Sequence, residues 1–312
     1  METLLLFGLA GFLAQLVDGT LGMGYGVTSS TTLLAVGTAP AVAAASVNLA
    51  QVGTTLASGV SHWKFRNVDW RTVGILALPG GVGAVIGASV VASLSTDASK
   101  VWISAILFLL GLYVLIRFAF LKLAKLITDK RPGAKLLAPL GIVGGFLTSS
   151  SGGGWGPVAT TSLLSSGRLE PRKVVGSVSA SEFVVTVSAS ITFFFVLARQ
   201  DGMNYFIVAG LLIGGVLAAP FAAWLVRHLP PRVLGAAAGG MIVLTNAYLL
   251  LRVAQAGPAV FVTVYGGLAV LWIAGITAAV RSVLAEKRLR EAIEAETVAA
   301  RSGEDDQAAR VG

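Results

Sequence analysis

Two glycine-rich clusters hold the residues whose types and spacing could do chemistry. The first, LVDGTLGMGYGVTSS, carries Gly22, Gly24 and Gly26 followed by Thr28, Ser29 and Ser30. The second, TSSSGGGWGPVATTS, carries Ser149, Ser150 and Ser151 and then Gly152, Gly153 and Gly154. Each cluster interrupts an apolar run. Glycine at that density works against a continuous helix, since each interior Gly costs about 1 kcal/mol relative to Ala. A short helix that restarts after the interruption has N–H groups without intrahelical partners and a partial positive charge, which suits an oxyanion. The chemistry these residues can do is anion binding by N–H groups and hydroxyls. A single Ser or Thr in such a place serves close helix packing equally well. The duplicated glycine clusters point to function.

Side chains of other apolar segments extend the candidate lining. Asn48 and Gln51 lie in one span, and Ser179 and Glu182 lie in another, 131 positions further on. Asp18 and Glu182 are the acids expected at membrane depth, where an ionisable group is costly and functional by default. Asp18 either caps the turn through its carboxylate or takes part in proton coupling. Glu182 could carry a proton with, or against, the substrate. His62 and His228 fall at span ends and read as interfacial residues rather than metal ligands. With no cysteine in the chain and no His beside a Ser nucleophile, no enzyme is expected, and neither a catalytic residue, a metal nor a cofactor.

The elements that must position these residues are membrane helices. Of the 312 residues 55% are hydrophobic and 12% charged, about half the charged share of an average soluble domain. Clean apolar segments near the spanning length of roughly 20 residues lie at 40–60, 71–94, 101–121, 174–198, 204–227, 232–252 and 259–280. The net charge of +8 comes from Lys and Arg between these segments, without a basic face interleaved with aromatics, so nucleic acid is not an expected partner. The bilayer is. Trp63, Trp70, Trp102 and Trp224 fit aromatic belts at its interfaces.

The glycine clusters also reveal a duplication. Gly11, Gly22, Gly24, Gly26, Thr31, Leu33, Leu34 and Gly37 are matched 130 positions later by Gly141, Gly152, Gly154, Gly156, Thr161, Leu163, Leu164 and Gly167, and Tyr25 falls opposite Trp155. Basic residues then orient the halves by the excess of Lys and Arg in cytoplasmic loops. Lys64, Arg66 and Arg71 mark one such loop, Lys122 to Lys135 a second, Arg168 to Lys173 a third, and Arg227 with Arg232 a fourth. Region 136–167 then starts and ends inside, while region 3–36 starts and ends outside. Each is a re-entrant or broken helix pair, and the halves are inverted relative to each other. The fold class expected is an all-α polytopic membrane protein of two inverted repeats, each a broken helix pair plus three transmembrane helices, with one extra C-terminal span. Its parts are repeat 1 (1–121), a cytoplasmic basic linker (122–135), repeat 2 (136–252), the extra span (253–280) and a cytoplasmic tail (281–312).

GFLAQLVDGTLGMGYG and its echo GIVGGFLTSSSGGGWGP, each followed by an LL pair, resemble the sulfite exporter TauE/SafE family over roughly residues 5–252. The resemblance implies a permease of the prokaryotic inner membrane for sulfite, or for related sulfur oxyanions and organosulfonates, usually acting outward. The mechanism expected is alternating access with the anion held between the two breaks. An anion channel and a non-transporting membrane sensor or scaffold are the competing readings, and a homodimer is left open as the assembly.

Overall fold

A computed structural model describes residues 2–21, 23–121, 131–197, 205–225 and 230–311, and among them every regular element is helical. The first apolar run is broken where the glycines predict: α1 (Glu2–Leu21) stops, and α2 (Tyr25–Ala35) restarts after Met23 and Gly24. Gly24 has φ 123°, a conformation that a side chain would strain. Three long helices follow, α3 (Pro40–Lys64), α4 (Trp70–Ser93) and α5 (Thr96–Phe120). Their starts are legible residue by residue. Pro40 is the first residue of α3, where its missing N–H costs nothing. The Asp69 carboxylate accepts from Thr72 N at 3.1 Å and caps α4, and Ser95 Oγ accepts from Ala98 N at 3.3 Å and caps α5.

The second half repeats this order. α6 (Ala134–Ser151) ends on the left-handed Gly152, and a π-helical turn (Gly156–Thr160) leads into α7 (Thr161–Ser166). Then come α8 (Pro171–Leu197), α9 (Tyr205–Leu225) and α10 (Pro231–Val253). The last element, α11 (Pro258–Val311), is one helix of 54 residues. The expected boundary between the extra span and the tail at residue 281 is therefore not a break in the chain. At 1.5 Å per residue α11 is about 80 Å long, far beyond a hydrocarbon core of about 30 Å, so its charged half from Arg281 onward must lie outside the bilayer.

Five helices among the described residues are long and apolar enough to cross a membrane: Trp70–Ser93, Thr96–Phe120, Arg172–Val196, Arg232–Val253 and Pro258–Ile293. Two of the seven expected spans fall short of that description. Within α9 the described apolar stretch, Tyr205–Ala218, is a shorter one. α3 is long enough, but Asn48, Gln51, Thr55, Ser58 and His62 dilute its hydropathy. Large apolar side chains face outward elsewhere, such as Leu78 on α4 and Val262 on α11, as expected where the solvent is hydrocarbon.

The core forms between the halves rather than within them. α1 packs along α9, α4 along α6, α5 along α10, and α3 along α8. Small residues permit these approaches: a Cβ on Gly11 would overlap the Leu211 carbonyl, and one on Gly141 would overlap that of Leu76. α11 lies outside this core, against α5 and α10, where Trp272 covers Gly240 and Leu115 meets Gly275. Arg232 also bonds Ser282 and pairs with Glu286 at 3.2 Å, tying the start of the charged half of α11 to the base of α10. The nine residues 122–130, most of the expected basic linker, lie outside the described residues, as do Arg199, Asp201, Arg227 and His228.

Candidate functional site

The two breaks meet backbone to backbone. A Cβ on Gly26 would overlap the Gly152 carbonyl, and one on Gly153 would overlap the N–H of Val27, so glycine is required on both sides of the contact. An aromatic side chain anchors each break. Tyr25 donates its hydroxyl to the Leu211 carbonyl at 2.9 Å with its ring against Gly215, and Trp155 donates Nε1 to the Val178 carbonyl at 3.0 Å with its ring against Gly80.

Beside this junction lies a cavity of about 310 Å³. Its wall takes in the end of α1, both breaks, the C-terminal half of α3 and the N-terminal half of α8. Eight of the residues singled out from the sequence lie in it: Gly24, Gly26, Gln51, Gly153, Gly154 and Ser179, together with Asp18 and Glu182. The Asp18 carboxylate accepts from Tyr25 N at 3.1 Å, so it caps α2 and also faces the cavity. Glu182 Oε1 accepts from Gln51 Nε2 at 3.3 Å, while Gln51 Oε1 is buried without a partner.

Other candidates sit behind the wall. Thr28, Ser29 and Asn48 are buried and outside it, as are Ser149, Ser150, Ser151 and Gly152. The serine trio closes α6 instead of opening the helix after the break. Ser149 Oγ donates to the Gly145 carbonyl at 3.0 Å, while Ser151 Oγ has two acceptors in reach, the Leu147 carbonyl at 2.7 Å and the Gly153 carbonyl at 2.8 Å, and accepts from Gly153 N at 3.4 Å. Gly22 lies outside the described residues.

Among the polar side chains of the wall, sequence reasoning did not assign Gln15, Tyr25, Ser58, His62 and Thr160 to the site. His62, read as interfacial, stands half-buried in the wall. The available signal was helical spacing, because Ser58 and His62 follow Gln51 by seven and eleven positions and so share its face of α3. Asp18 and Glu182 are the acidic side chains of the wall, and no Lys or Arg joins them among the described residues. The site offers amides, hydroxyls, glycine N–H groups and two carboxyl groups.

Helices of spanning length packed around a polar cavity, with two broken helices meeting at its wall, define a multi-pass membrane transporter. Comparison with known proteins agrees and narrows the class. Residues 7–249 match the Sulfite exporter TauE/SafE family, and the chain belongs to that family. It is 48% identical over 277 residues to the probable membrane transporter protein YtnM of Bacillus subtilis (strain 168), a match covering 88% of this chain and 92% of that protein. No solved structure matches it significantly.

Proposed function

We propose that this protein is an alternating-access carrier that exports sulfite, or a related sulfur oxyanion or organosulfonate, across a prokaryotic inner membrane, with its C-terminus in the cytoplasm. The observation that carries the reading is the meeting of the two glycine breaks at the wall of one polar cavity. Glycine backbone at membrane depth is tolerated where protein buries it or it lines a watery cavity, and both conditions are met here. The family name supplies the substrate class.

The repeat organisation, 1–121 against 136–252 in inverted orientation, finds support in paired contacts. Gly11 with Leu211 is the counterpart of Gly141 with Leu76, and Tyr25 with Gly215 that of Trp155 with Gly80. Counterparts in these contacts are 130 positions apart in the broken segments and 135 apart between α4 and α9. The cavity leads toward the ends of α3 and α8 that adjoin the basic segments Lys64–Arg71 and Arg168–Lys173, the side assigned to the cytoplasm.

Two carboxylates in a wall without Lys or Arg repel an entering anion. Protonation of Asp18 and Glu182 removes this repulsion, so anion binding is coupled to proton binding. The anion then binds between the tips through the N–H groups and hydroxyls of Gly24, Gly26, Gly153, Gly154 and Ser179, with Gln51 beside them. The test is uptake of radiolabelled sulfite into proteoliposomes at two internal pH values, with sulfate, thiosulfate and a small sulfonate as competitors. Saturable, pH-dependent flux inhibited by one of these anions is expected; its absence from monodisperse, well-folded protein would overturn the proposal.

A further inference from the structure

On α3, Ala44, Asn48, Gln51, Thr55, Ser58 and His62 recur at steps of three and four and share one face. On α8, Val175, Ser179, Glu182, Thr186, Ala189 and Phe193 recur at the same steps, each 131 positions after its counterpart. The stripes meet at their middles, where Gln51 bonds Glu182 at 3.3 Å and the Thr55 and Thr186 hydroxyls lie 3.5 Å apart. Beyond the middles they differ. Toward one end, Ser58, His62, Val175 and Ser179 line the open cavity. Toward the other, their counterparts Ala189, Phe193, Ala44 and Asn48 are each no more than 1% exposed.

Polar atoms are shut into that closed end. Ser30, the counterpart of the wall residue Thr160, has its Oγ buried without a partner, and so does Asn48 at Oδ1. Thr148, the counterpart of Asp18, is fully buried as well, its hydroxyl donating to the Gly144 carbonyl at 2.7 Å, so the unpartnered oxygens are those of Ser30 and Asn48. Unpartnered oxygens destabilise a permanently dry core. They are explained if the same surface is wetted in a second conformation. Phe193 stands where the repeat places His62 in the open half, a large apolar ring in place of an imidazole that lines water.

We infer that the closed end is a second access cavity for the same anion, lined by Ser30, Asn48 and Thr148 and plugged in this conformation by Phe193 and Ala189. The inference rests on the carrier reading and adds to it the residues of the outward path. Opening this end while the Ser58–His62 end closes exchanges the roles of the two stripes about the Gln51–Glu182 contact.

The chain has no cysteine, so single cysteines can be labelled without background. A membrane-impermeant maleimide is applied from each side of oriented vesicles to Ser58→Cys and Ala189→Cys proteins. The Ser58→Cys protein is expected to react from the cytoplasmic side and the Ala189→Cys protein to react slowly from the opposite side. Adding Phe193→Ala to Ala189→Cys should accelerate that opposite-side reaction at least tenfold. Phe193→Leu, a smaller change, should act in the same direction and covers the case in which Phe193→Ala does not fold. Reaction of both cysteines from the same side would overturn the inference. So would an unchanged Ala189→Cys rate in both Phe193 backgrounds while Ser58→Cys, in those backgrounds, still labels as before. None of these readouts requires sulfite, so a wrong substrate assignment leaves them intact and shows only in the flux assay.

Discussion

The two broken segments have the same outline and differ in how their polar groups are used. At the first, the Asp18 carboxylate caps the restarting helix and faces the cavity, so a titratable group stands at the junction itself. At the second, Ser149 turns back onto a carbonyl of α6, Ser151 bridges the end of α6 to Gly153, and the chain passes the junction as three consecutive glycines. The counterpart of Asp18 is Thr148, and the counterpart of Glu182 is Gln51, so each half contributes one acid where the other has a neutral group. Duplicated glycines give two backbones that can touch. Unduplicated acids give a site whose charge can change without altering that contact.

Disrupting the shared feature should have the greatest consequence. Gly153→Val or Gly26→Val puts a side chain into the opposing backbone, and flux is expected to fall below detection in protein that remains monodisperse by size exclusion. Normal flux in either variant would show that the junction is not part of the path. Changing what the halves do not share should cost less. Glu182→Gln is expected to lower flux about tenfold and flatten its pH dependence, the scale of one charge-assisted hydrogen bond. Because Gln51 and Glu182 touch, the exchanged pair Gln51→Glu with Glu182→Gln should recover most of that loss. A double variant no better than Glu182→Gln would mean that the acid must reside on α8.

Asp18 separates capping from coupling. Asp18→Asn keeps a good capping acceptor, so its thermal stability should stay near that of the parent while pH dependence weakens; Asp18→Ala should also lose about 1 kcal/mol of stability with the cap. The smallest effect belongs to the attachment of α11, at the partly exposed Arg232–Glu286 pair that ties it to the second half. Arg232→Ala should shift unfolding by about 1 kcal/mol or less and leave flux unchanged. A large loss of transport there would give α11 a role in the cycle.

Much of this arrangement was legible in the sequence because glycine and proline act locally. Gly24 and Gly152 take up positive φ at the breaks, and Pro40 opens α3 as its position suggests. The placement of single hydroxyls was less legible, since a serine at a helix end has carbonyls within reach, and such local bonds hold Ser149 to Gly145 and Ser151 between Leu147 and Gly153. His62 was missed because its position near the end of an apolar segment suggested an interface, while only its helical phase relative to Gln51 shows which way it points. Continuity of α11 past Arg281 was likewise hidden by the change in composition there, because a helix can cross from lipid to water without a change of backbone.

Counterflow is the most direct measurement. Proteoliposomes loaded with unlabelled sulfite should take up labelled sulfite faster than empty ones and transiently above its equilibrium level, because a carrier returns with a substrate bound. Equal entry into loaded and empty vesicles would contradict a carrier built on two opposed breaks and would leave a channel in its place.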